Sequence, residues 1–169
     1  MSEPADLWRK AAAFAARKHA GQFRKDGKTP YIAHPFRVAM TVRHVFGVDD
    51  PIALAAALLH DVIEDTTADY DDLAREFTAE VADVVAALTK DMRLPEPKRE
   101  ALYDEQLKQS TWQARLIKLA DVYDNVIDCH DEKMRAKAIT IAHRATACAG
   151  DDPRLAPAVR AVEALMGDR

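Results

Sequence analysis

Apolar residues along the chain recur mostly at helical spacing, with clear punctuation between the runs. Leu7, Ala11, Phe14 and Ala15 fall on one face and predict a helix from about Asp6 to His19. Gly21 to Thr29 carries two glycines and many charges, which predicts a loop. Pro35 is a favoured first-turn residue and Gly47 a good C-terminal cap, so the second helix is expected between them. Asp49 or Asp50 caps a third helix that Pro51 opens. Its stretch Ile52 to Leu59 is apolar almost all round, the pattern of a helix at the centre of its domain. A short helix is expected over Tyr70 to Phe77, and Thr78 caps another that runs to about Thr89. Asp91 to Pro97 reads as a loop, followed by a polar helix from about Lys98 to Lys108. Ser110 or Thr111 caps the next, whose buried face is Leu116, Ile117, Leu119, Ala120, Tyr123 and Val126. Two more close the chain, at about Glu132 to Cys148 and Pro153 to Met166. No segment keeps the two-residue alternation of a strand. The expected fold is all-α, a single-domain bundle of about eight or nine helices spanning residues 1–169.

Composition narrows the class. The chain is 49% hydrophobic and 31% charged, too apolar for a disordered segment. Alanine is abundant, which favours helices packed closely together. No apolar run approaches the ~20 residues needed to cross a bilayer. Met1-Ser2-Glu3-Pro4-Ala5-Asp6 has neither a basic nor an apolar leader region, so a soluble, cytoplasmic protein is expected. Cys129 and Cys148 are too few for a disulfide framework. The net charge of −4 offers no broad basic footprint, so no nucleic-acid or membrane partner is expected. Positive charge gathers locally in Arg24-Lys25-Asp26-Gly27-Lys28, which suits a small anion or a solvated loop.

Chemistry enters where charge interrupts apolar helix. Ala53-Leu54-Ala55-Ala56-Ala57-Leu58-Leu59 runs straight into His60-Asp61, then Val62-Ile63, then Glu64-Asp65. Burying charge is costly unless it is paired or bound to a metal. His60 and Glu64 are four residues apart, as are Asp61 and Asp65, so each pair shares a helical face. Asp121 interrupts a second apolar run, with Asn125 one turn further along its face, and His34 directly precedes Pro35. Two imidazoles with two carboxylates make a mixed nitrogen and oxygen site, better suited to manganese, iron or zinc than to calcium or magnesium. Taken singly, His34 reads as a helix cap or core histidine, and Asp121 as a partner of Lys118 or of an arginine elsewhere.

The order H…HD…D resembles the signature of the HD superfamily of metal-dependent phosphohydrolases. Ala15 to Gly27 followed by Thr29-Pro30-Tyr31-Ile32-Ala33-His34-Pro35 is similar to the opening motif of the RelA/SpoT hydrolase domain. Ala57 to Thr66 and Ile117-Lys118-Leu119-Ala120-Asp121 match the next two motifs, so the resemblance covers roughly residues 8 to 130. In length the chain resembles the small alarmone hydrolases, a group that includes the metazoan SpoT homologue. The resemblance implies manganese-dependent removal of the 3′-pyrophosphate of guanosine tetra- and pentaphosphate, a small nucleotide substrate. It implies His34, His60, Asp61 and Asp121 as metal ligands and Glu64 and Asp65 as the groups that orient or deprotonate the attacking water. Arg24 and Lys25 are then expected near the substrate, with Asn125 on its nucleoside or ribose. Asp124 departs from the pattern, standing where an apolar or aromatic residue is usual, on what is expected to be the nucleotide side of the pocket. Other readings stay open: an adenosine alarmone or the 2′-phosphate of NADPH as substrate, another divalent metal, or a non-catalytic ligand-binding module on the same fold.

Overall fold

In a computed structural model, residues 6–167 are described. Met1–Ala5, on which the expectation about a leader region falls, and Asp168–Arg169 lie outside them. The elements in chain order are α1 (Leu7–Lys18), α2 (Ala33–Met40), which runs on into a π turn (Thr41–Val45), α3 (Pro51–Leu59), the single turn α4 (Val62–Asp65), α5 (Tyr70–Glu76), α6 (Ala79–Leu88), α7 (Glu96–Gln109), α8 (Trp112–Ile127), α9 (Glu132–Ala149) and α10 (Ala156–Gly167). Taking α2 with its π turn and α3 with α4, the described residues form nine helices, as expected for an all-α fold. The one strand-like feature among them is an isolated bridge between Phe23 and Pro30. None of the described helices is long and apolar enough to cross a membrane.

Local chemistry sets most of the boundaries. Asp50, Asp69, Thr78, Thr111 and Asp131 each accept a backbone N–H from the first turn of the helix that follows. Prolines account for the differences from expectation. Pro35 is the third residue of α2 rather than its first, because the chain already tightens at Tyr31: His34 N–H reaches the Tyr31 carbonyl at 2.9 Å. Likewise α7 begins at Glu96, with Pro97 inside its first turn, and α10 begins at Ala156, beyond Pro153. A proline costs little in a first turn, where its missing N–H has no helical partner anyway. His34 therefore sits inside α2 and is not the cap that precedes it.

The core is centred on α3 and α8. Ala53, Ala55, Ala56, Ala57, Leu58 and Leu59 are all buried, and α3 packs against α1, α2, α6 and α8. Helix α8 buries Leu116, Ile117, Leu119 and Ala120 and touches α2, α9 and α10 as well. Alanine on α3 lets the neighbouring backbones approach closely. Because α2, α3 and α8 touch one another pairwise, the polar residues at their meeting point share one small space.

Candidate metal centre

Four polar side chains converge where these helices meet. Helix α3 stops at Leu59, and His60 and Asp61 fall in the break before α4. Glu64 and Asp65 are thus on a separate turn, not on a continuation of α3 as the four-residue spacing suggested. The turn still closes, with Asp65 N–H on the Asp61 carbonyl at 2.9 Å. One ligand atom each from His34, His60 and Asp121 lies within 4.8 Å of the other two. Asp61 Oδ2 is 3.0 Å from His60 Nε2 and 3.6 Å from His34 Nε2, while Asp121 Oδ1 is 3.2 Å from His34 Nε2. The four expected ligands are together.

Each imidazole is held by its far nitrogen. His60 Nδ1 lies 2.7 Å from the Ala57 carbonyl, which can only accept, so Nδ1 carries a proton. His34 Nδ1 lies 2.7 Å from Asp124 Oδ2. Both Nε2 atoms therefore face the cluster, and His60 Nε2, though buried, has no hydrogen-bond partner. An orphaned ring nitrogen aimed at two carboxylates is what a cation ligand looks like before the cation is counted. Burial disfavours the charged form of His34, yet its bonds to Asp121 and Asp124 raise it to about 9. Burial opposes His60 too, and the Asp61 charge outweighs it. Burial pushes Asp61 and Asp121 up, but the neighbouring charges, His60 foremost for Asp61 and Lys118 for Asp121, hold both below the usual carboxylate range. A divalent cation can replace those imidazole protons, so the residues fit a metal whose binding releases them.

Around the four lie two adjoining cavities. A chamber of about 190 Å³ is lined by all four together with Tyr31, Glu64, Asp65, Lys90, Lys118, Asn125 and Arg24, among others. The Tyr31 hydroxyl donates to Asp61 Oδ2 at 2.6 Å and sits 3.1 Å from Asp65 Oδ2. Glu64 accepts the Lys90 backbone N–H at 3.0 Å. Burial raises the carboxyls of both Glu64 and Asp65, with the Asp61 charge adding to it. A groove of about 300 Å³ shares Arg24, Lys90, Lys118, Asp121 and Asn125 with the chamber and continues to Lys25, Met134, Lys137, Ala138 and Ile141.

Every expected site residue lines one or both cavities, but several are more engaged than the sequence suggested. Arg24 bonds Asp128 Oδ2 at 2.8 Å and Asn125 Oδ1 at 3.1 Å. Asn125 Nδ2 in turn donates to Asp121 Oδ1 at 2.6 Å. Lys118, half-buried, donates to Asp121 Oδ2 at 2.7 Å, so the pairing weighed for Asp121 exists alongside the cluster and does not replace it. Asp124 requires a correction. It does not face a nucleotide pocket: it is 5% exposed, and it binds the back of His34 and the Arg37 guanidinium. The sequence assigns no role to Tyr31, Arg37 or Lys90, and to Lys118 only a pairing with Asp121. A lone lysine inside the run Leu116 to Ala120 was the available signal for Lys118, whereas the links of Lys90 and Arg37 depend on tertiary packing.

A family model for the HD domain matches residues 11–147. The chain belongs to the HD domain family. Within it, this HD domain is 46% identical over 128 residues to the guanosine-3′,5′-bis(diphosphate) 3′-pyrophosphohydrolase MESH1 of Homo sapiens, covering 75% of this chain and 71% of that one. The Xenopus tropicalis MESH1 is 43% identical over 129 residues, with 76% and 72% covered. A solved structure described as a metazoan ortholog of SpoT that hydrolyzes ppGpp superposes with a TM-score of 0.83 at 30% identity, over 99% of both chains.

Proposed function

We propose that this HD domain is a metal-dependent phosphohydrolase that removes the 3′-pyrophosphate of guanosine tetra- and pentaphosphate. The observation that carries the reading is the meeting of two outward-held imidazole Nε2 atoms with two carboxylates at the crossing of three helices. In this proposal His34, His60, Asp61 and Asp121 hold the cation, and manganese is the metal. The substrate assignment rests on the likeness to relatives named as 3′-pyrophosphohydrolases, and mixed nitrogen and oxygen ligation suits manganese.

A divalent cation held there lowers the pKa of a water molecule and neutralises phosphoryl oxygens. The chain's own groups do the rest. Glu64 takes a proton from the attacking water; its burial raises its affinity for protons, which favours a general base. Asp65, 3.1 Å from the Tyr31 hydroxyl oxygen, orients the water. Arg24 and Lys25 approach the phosphates, and Asn125 contacts the ribose from the rim shared by both cavities. The scissile diphosphate occupies the chamber and the nucleoside the groove, whose apolar wall of Met134, Ala138 and Ile141 offers a surface for a base. Products are pyrophosphate and the shortened nucleotide.

Two coarser parts of the proposal have their own support. One continuous core from Leu7 to Val162 is what a single domain spanning the chain requires. Cys129 and Cys148, both free thiols, are compatible with the reducing cytoplasm. The test is a panel assay with manganese and guanosine tetraphosphate, its adenosine counterpart and NADPH, measuring pyrophosphate and phosphate separately. Pyrophosphate released fastest from guanosine tetraphosphate is the expected result. Phosphate from NADPH, preferred adenine, or no release at all would overturn the assignment.

A further inference from the structure

His34 and His60 occupy equivalent places in the cluster but are held differently from behind. His60 Nδ1 meets a neutral backbone carbonyl in the last turn of α3, Ala57 O at 2.7 Å. His34 Nδ1 meets a carboxylate from another helix, Asp124 Oδ2 at 2.7 Å. That carboxylate is itself clamped. Arg37, one turn after His34 on α2, donates Nε to Asp124 Oδ1 at 2.6 Å and Nη2 to Asp124 Oδ2 at 2.9 Å, a bidentate fork. Arg37 Nη2 also reaches Asp128 Oδ2 at 2.9 Å, and Asp128 holds Arg24. Arg24 bonds Asn125, Asn125 bonds Asp121, and Asp121 Oδ1 returns to His34 Nε2 at 3.2 Å. The ring of contacts closes on itself, with His34 gripped at both nitrogens.

Asp124 has no other visible employment. Burying a carboxylate is costly, and burying one against an imidazole makes sense when the imidazole must present its opposite nitrogen as an electron-pair donor. From this geometry we infer that Asp124 is a positioning residue for the metal: it fixes the Nδ1–H form and the ring orientation of His34, while Arg37 fixes Asp124. His34 is thereby aimed by a charged partner, whereas the carbonyl behind His60 carries no full charge. The inference rests on the metal reading given above and extends it to a residue that does not touch the cation or the substrate.

The test is a manganese titration of the full chain, stripped by chelator, comparing wild type with Asp124→Asn and Asp124→Leu. Asparagine keeps an acceptor of the same shape and loses the charge; leucine loses both. Metal affinity is expected to fall about three- to tenfold in Asp124→Asn and by about 10–100-fold in Asp124→Leu, the range seen when such outer partners of metal-binding histidines are removed. Melting temperatures of the stripped proteins report any purely structural effect, which leaves the affinity of folded protein unchanged. Asp124→Asn decides the matter if the leucine variant does not fold: wild-type manganese affinity in a folded Asp124→Asn overturns the inference. Failure of wild type to bind manganese at all would instead overturn the proposed function, so the two failures are distinguishable.

Discussion

The chamber and the groove share a wall but differ in kind. In the chamber most polar groups meet another: Lys118 pairs with Asp121 and Lys90 with Glu100, while the Tyr31 hydroxyl lies against Asp61 and Asp65. The groove is a mixed surface, with Val122, Met134, Ala138 and Ile141 beside Lys25 and Lys137, neither of which has an ion-pair partner among the described residues. A site whose polar groups are fixed by such contacts is preorganised to hold a cation and a reacting phosphoryl group. A mixed apolar and cationic surface suits the recognition of a nucleoside and its remaining phosphates. In the proposed function the chemistry therefore belongs to the chamber and the choice of substrate to the groove.

That division can be broken most sharply from the chamber. Asp61→Ala and Asp121→Ala are each expected to lose bound metal and to cut turnover to background, read by elemental analysis and pyrophosphate release. Next in size, Glu64→Gln keeps metal and fold but lowers kcat by about 10²–10⁴-fold, the usual contribution of a general base. The same residue sets a pH dependence. Its proton affinity is raised, and a base works only when deprotonated, so kcat/KM should fall on acidification at a pH above the ordinary glutamate value of 4.5. A smaller effect is expected from the groove: Lys137→Ala raises KM about tenfold, the loss of one charged hydrogen bond of about 1.5 kcal/mol, with kcat and metal content unchanged. A kcat that fell with Lys137 would blur the division. Smallest is Asp131→Ala, which removes the α9 cap on Met134 N–H and should cost about 1 kcal/mol of stability, seen as a lowered Tm with metal retained.

The same contrast governs what could be read without coordinates. The polar cluster of the chamber is legible in the sequence because charge inside apolar helix is conspicuous: His60-Asp61 after Ala53 to Leu59, and Asp121 after Leu119-Ala120. Helix starts were legible wherever an acid or hydroxyl caps them, as at Asp50, Thr78 and Asp131. Pro35 misplaced the start of α2 because proline is tolerated anywhere in a first turn, and this moved His34 from a cap into the helix. Asp124 was misassigned because its neighbours along the chain, Tyr123 and Asn125, say nothing about which way it points. Spacing does fix the direction: three residues after Asp121 on α8, it lies near the same face, yet only the packing of α2 decides that it meets His34. The groove's far wall on α9 was illegible for the same reason, since Met134, Lys137, Ala138 and Ile141 look like any amphipathic helix until α8 is set against them.

The central claim is that a single cation sits among His34, His60, Asp61 and Asp121. Anomalous X-ray scattering from crystals grown with manganese tests it most directly. One peak per chain is expected, within coordination distance of both imidazole Nε2 atoms and of both aspartates. A peak elsewhere, or none at that point under saturating manganese, would contradict the account.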